Sequence, residues 1–157
     1  MLAFRTFEAE ELDDLIRLAI TVGVAQFADD FWPNLKYSST DSQAVAKALG
    51  QGTELKLQSV NLVNQKATKD GLAAELEKIA KRATPRDTVV VYVSSHGTLA
   101  EAESGELEKV VVLYDTDKER LGKTGMPHRR LVEWLEGLPA RQRHAAAELL
   151  SGNIMTH

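Results

Sequence analysis

The chain has 157 residues, a length that suits one domain better than two, and its 43% hydrophobic and 27% charged content is that of a folded globular chain. A formal net charge of −4 and the lack of any basic stripe exclude an electrostatic case for nucleic acid. The absence of cysteine excludes disulfides, thiolate metal sites and thiol nucleophiles, and it fits a reducing compartment.

The N-terminal stretch from Met1 to Glu11 turns acidic early, unlike a signal peptide. No run approaches the roughly 18–20 apolar residues that cross a bilayer, so a cytoplasmic location is expected. Phe7 to Asp14 reads as a short helix or arm. Leu18 to Val24 is apolar and β-branched without strict alternation, as in a strand covered on both faces of a parallel sheet. A loop with Pro33 follows. Ser39 or Thr40 then caps a helix running to about Leu49, stopped by Gly50 and Gly52. Leu55 to Val63 reads as a second strand. Ala67-Thr68 precedes an amphipathic helix whose Leu72, Leu76, Ile79 and Ala80 share one stripe. Thr88 to Val93 is a fully apolar strand ending in Ser94-Ser95-His96-Gly97. After a glutamate-rich loop, Val110 to Tyr114 makes another strand, closed by Asp115-Thr116-Asp117. Pro127 opens a helix with Leu131, Trp134, Leu135 and Leu138 on its core stripe.

Strands alternating with helices predict an α/β fold, a three-layer sandwich with a mostly parallel sheet. In such sheets ligands bind beyond the carboxyl ends of the strands, where His96 sits. Histidine is the usual general acid or base, and Gly97 permits a sharp exit and a close backbone approach. The plain alternative is a rim histidine satisfied by its neighbours.

Several blocks in order carry a resemblance. They are Arg17 to Val24; Leu35-Lys36-Tyr37 with Asp41 opening a helix; Ala67-Thr68; Val89 to Thr98 around His96; Val111 to Asp117; and Leu138 to Arg141. Together they resemble the caspase-like cysteine peptidases, in particular the bacterial caspase-homologue and metacaspase branch. The resemblance implies a caspase-like domain over 17–143, while the residues themselves give an acidic arm or short helix over 1–16 and a helix-prone tail over 144–157 where the nucleophile strand would be. It also implies a fold incomplete on its C-terminal side. By the same resemblance His96, with Gly97 beside it, is the catalytic histidine that protonates the leaving amine. Asp41 and Ser94 line the pocket for a basic residue before the cut bond. Asp41 has a second reading, as a residue satisfying the free N–H groups of its helix.

The match breaks at the nucleophile. Where the family has Asp-x-Cys-x-Ser-Gly, this chain has Ala147, Leu149 and Ser151-Gly152 within an alanine- and leucine-rich run that favours helix. Leucine cannot attack a carbonyl. No Gly-x-Ser-x-Gly elbow supports a serine hydrolase built on Ser94 or Ser95. Asp115-Thr116-Asp117 with Glu119 lacks the pattern of a calcium loop, and His128, His144 and His157 show no metal spacing, so neither metal nor cofactor is expected.

Three readings follow: a caspase-family endopeptidase altered or partial at its end and inactive as it stands; a pseudo-peptidase kept as a peptide-binding or assembly module; or another doubly wound domain binding a small molecule. The expected partners are a peptide or protein, and a missing small-subunit portion or a second copy at an unpaired sheet edge. Nucleic acid and membrane are not expected.

Overall fold

Alternating Leu18, Ile20 and Val22 make strand β1 (Ile16–Gly23) apolar on one face, while Ala19, Thr21 and Gly23 leave the other face small and polar. A computed structural model describes residues 16–51, 56–140 and 142–150. The proposed arm over 1–16 therefore falls almost wholly outside the described residues. Helix α1 (Ser38–Leu49), strand β2 (Lys56–Val63) and helix α2 (Lys69–Arg82) follow. Next come the long strand β3 (Thr88–Glu101), β4 (Leu107–Val111), a short helix α3 (Leu121–Thr124) and the two-residue β5 (Met126–Pro127). Helix α4 (His128–Glu136) and strand β6 (Gln142–Leu150) complete the described chain.

The sheet runs β2-β1-β3-β4-β5, with β6 also on β3. The β1–β2, β1–β3 and β3–β6 pairings are parallel, and β4 joins β3 and β5 antiparallel. The apolar face of β1 and β3 meets Leu72, Leu76 and Ile79 of α2 and Leu131 and Leu135 of α4 in one core. Each such buried leucine contributes about 1.5–3 kcal/mol. On the other face α1 settles on Gly23. A Cβ there would lie 2.3 Å from Ser42 Oγ and 2.4 Å from the Ser38 carbonyl. Glycine at this point lets the first turn of α1 touch the sheet, and so the three layers form.

Several expectations need correction. The tail from His144 to Leu150 is strand, not helix. Over Thr88 to His96 it pairs with the edge of β3, whose N–H and C=O groups would otherwise lack partners. The helix preference of alanine is worth at most about 0.7 kcal/mol per residue, less than the ladder bonds that the strand gains. Strand β3 does not stop at Gly97. It continues to Glu101 because Gly97 to Glu101 pairs antiparallel with β4. No sharp exit occurs there, and Gly105 is the glycine with positive φ among the described residues. Strand β4 also ends earlier than expected, so Val112 and Leu113 are buried in the connection after it. In α1 neither Ser39 nor Thr40 caps. The N-cap is Tyr37 and carries no side-chain cap bond, while Thr40 Oγ1 donates to the Tyr37 carbonyl at 2.8 Å. In contrast, Thr68 caps α2 by accepting from Gly71 N–H at 3.0 Å.

Candidate functional site

The β3 run of β-branched residues carries the chain through the middle of the sheet, so the residues that follow the run lie between neighbouring strands instead of at an edge. Ser94 is level with Gly23 of β1 on one side and with Glu148 of β6 on the other. His96 is level with Leu150, and Ser95 with Leu149. The tail therefore comes alongside the histidine, with Leu149 one step short of it. Beyond this point the backbone stays tied. Val24 N–H donates to the Ser94 carbonyl at 3.0 Å, and Val112 N–H to the His96 carbonyl at 2.9 Å.

His96 is only 4% exposed, because the loop over residues 24–37 closes on it. Its Nε2 lies 2.7 Å from the Pro33 carbonyl oxygen. A carbonyl only accepts, so Nε2 carries a proton and, in the neutral ring, the basic lone pair is on Nδ1. Phe27 stacks at a tilt on the ring with centroids 5.2 Å apart, and Trp32 lies at 6.2 Å. The imidazole is thus oriented by a hydrogen bond and by two aromatic walls. Sequence reasoning missed Phe27, Trp32 and Pro33. The signal was there in Phe31-Trp32-Pro33, since a tryptophan in a loop needs somewhere to be buried.

The other sequence candidates are distributed as follows. Ser94 is buried, two residues before His96 on the same strand and so on the same face. Asp41 is half-buried in the first turn of α1, beside Ser42, which packs on Gly23. Its backbone N–H donates to the Tyr37 carbonyl, and its carboxylate takes no hydrogen bond among the described residues. Gly23, level with Ser94, is thus the link between the α1 turn and the histidine strand. Ser95 has a structural duty, since its hydroxyl donates to the Val112 carbonyl.

Asp115-Thr116-Asp117, the segment that closes the β4 region, is partly a buried junction. Asp115 Oδ1 accepts from Lys69 N–H at 3.0 Å, Thr116 is fully buried, and Asp117 caps the turn through Glu119 N–H at 2.9 Å. Hydrogen bonds from Arg120 and from Glu119 N–H hold the Asp117 carboxyl below the usual carboxylate value. Among the described residues no His, Asp and Glu cluster could hold a metal ion. No helix among them is long and apolar enough to cross a membrane. A groove of about 480 Å³ between α2 and α4, lined by Leu76, Met126, Leu131 and Trp134 together with Lys69, Asp70, Glu77 and Arg130, lies on the face opposite Ser94.

A family model described as Caspase domain, in a peptidase family, matches residues 16–130. Among curated proteins none matches. Among solved structures, protein GSU0716 from Geobacter sulfurreducens superposes with a TM-score of 0.69 at 15% identity, covering 84% of this chain and 49% of that one. At that identity the likeness concerns the fold, and this chain spans about half the length of that relative.

Proposed function

This chain belongs to the caspase-domain family, and we propose that it carries the histidine side of a caspase- or metacaspase-type cysteine endopeptidase without the nucleophile, so that it engages peptide but does not cut it. The observation that supports this most is His96, oriented by Pro33 beside strand β6, in a chain with no cysteine. With Nε2–H committed to the Pro33 carbonyl, Nδ1 is the nitrogen that would take a thiol proton and return it to a leaving amine. Nothing in the tail from Ala147 to Leu150 can supply the attacking group.

On this reading Asp41 and Ser94 shape the pocket for an arginine or lysine before the cut bond, as in the metacaspase branch. An ionised carboxylate there recognises a basic side chain by charge-assisted hydrogen bonds. The cytoplasm is the compartment assigned with this reading, on the composition alone. A complementary role in assembly is favoured by one further observation. Among the described residues β6 pairs only with β3, which leaves its other edge open to an extended segment such as a small-subunit portion.

Two measurements test the proposal. Titration calorimetry with peptides ending in Arg or Lys should show binding that Asp41→Ala weakens roughly tenfold, the loss expected for one charge-assisted bond. Equal binding of basic and acidic peptides would sink the pocket assignment. The double variant Ala147→Asp, Leu149→Cys should then gain slow hydrolysis of the same peptides that depends on His96. Hydrolysis indifferent to His96→Gln would remove the histidine from the mechanism.

A further inference from the structure

The loop over 24–37 supplies a carbonyl that accepts from the His96 ring at 2.7 Å, so what holds that loop bears on the orientation of the ring. We propose that Asp29 and Trp32 are positioning residues for His96 that act through the Pro33 carbonyl. This rests on the reading of His96 as the proton-transfer group of the site.

The geometry around Asp29 carries the argument. One carboxylate oxygen accepts from Phe31 N–H at 2.9 Å within the loop, and the other from Lys118 N–H at 2.8 Å across the site. The Asp29 carbonyl also accepts from Trp32 N–H at 3.2 Å. Asp29 thereby both shapes the turn and ties it to the segment after β4. Trp32, 2% exposed, donates its indole N–H to the Thr116 carbonyl at 2.9 Å, a second tie to the same segment.

Pro33 comes next. Its ring fixes φ and restricts Trp32 before it to extended backbone, so little freedom remains between the two ties and the Pro33 carbonyl. The base of the loop is held separately. Asn64 Oδ1 accepts from Ala25 N–H at 2.9 Å and Gln26 N–H at 3.1 Å, and Leu35 N–H closes onto the Ala25 carbonyl at 2.8 Å. Loss of Asp29 or of the indole N–H should therefore loosen the tip of the loop without releasing its base. A purely structural role would change stability; a positioning role changes which ring nitrogen bears the proton.

The test uses the full chain labelled with nitrogen-15 at histidine, at a pH where the nitrogen shifts themselves show the ring to be neutral. Long-range proton–nitrogen spectra distinguish the two tautomers, and His96→Gln assigns the His96 signal. The natural chain should show a single tautomer with the proton on Nε2. In Asp29→Ala the ratio favouring that tautomer should fall about fivefold, the equivalent of one hydrogen bond, while far-UV circular dichroism and cooperative melting persist. Trp32→Phe keeps the aromatic wall and deletes the N–H, and should move the ratio in the same direction. It decides the question if Asp29→Ala does not fold. Unchanged tautomer ratios in folded variants, or a mixed population in the natural chain, would overturn the proposal. Failure of the underlying reading looks different: the tautomer shifts would remain, and His96→Gln would leave hydrolysis by the cysteine-bearing variant intact.

Discussion

Strands β3 and β6 run side by side in the same direction over Thr88 to His96, and their carboxyl ends differ in chemistry. At the end of this shared stretch of β3, Ser94, Ser95 and His96 are buried, and the backbone around them is fastened by Val24 and Val112. The histidine ring has a fixed acceptor in Pro33. Level with it, β6 brings Ala147, Glu148, Leu149 and Leu150. Phe27, Trp32 and Pro33 contact the His96 ring, Phe27 also packs against the core, and Trp32 is tied to the segment after β4. Orientation of the His96 ring is therefore secured by folding itself. The residues of β6 level with this stretch of β3 are set by backbone pairing that does not depend on their side-chain chemistry. A well-ordered histidine in this fold is therefore not by itself evidence of turnover.

The β3 half can be broken at its base. Gly23→Ala would push the first turn of α1 off the sheet beside Ser94, because the added Cβ would overlap Ser42 and the Ser38 carbonyl. A loss of about 3 kcal/mol is expected in denaturant unfolding, at the upper end for overpacking. Thr116→Val acts on the other support. The Thr116 hydroxyl accepts from Leu113 N–H at 2.8 Å in the interior, and valine leaves that donor buried and unpaired. About 2 kcal/mol should be lost, read from the shift of the unfolding midpoint at constant slope.

The smallest effect concerns acid. The folded Asp117 carboxyl is depressed by Arg120 and by Glu119 N–H, so the unfolded chain binds that proton more readily. The contribution is present at neutral pH and is lost as pH falls through the ordinary carboxylate value, near about 4, and then through the lower folded one. Asp117→Asn should slightly flatten the acid limb of the stability profile, and added salt should shrink the difference because the pair is exposed.

Much of the frame was legible where a local pattern and the tertiary demand agreed. Thr68 and the stripe of Leu72, Leu76 and Ile79 announced α2, and Val89 to Val93 announced a buried central strand, because periodicity and capping act locally. The tail was misread because alanine and leucine signal helix on their own, whereas the open edge of β3, a remote feature, decides their state. The continuation of β3 past Gly97 was hidden for the same reason, since it depends on β4. At the site, His96 and Ser94 stood out because polar residues follow the apolar run of β3, although the strand itself continues past them to Glu101. Pro33 contributes a backbone carbonyl, which no residue type betrays, and the stacking of Phe27 and Trp32 depends on how a loop folds back.

The account stands or falls on turnover by the natural chain. Purified protein at high concentration, incubated with fluorogenic peptides ending in Arg or Lys beside a His96→Ala variant, should release no more product than buffer. Release by the natural chain that His96→Ala abolishes would mean that this polypeptide has a nucleophile after all, and would contradict the account.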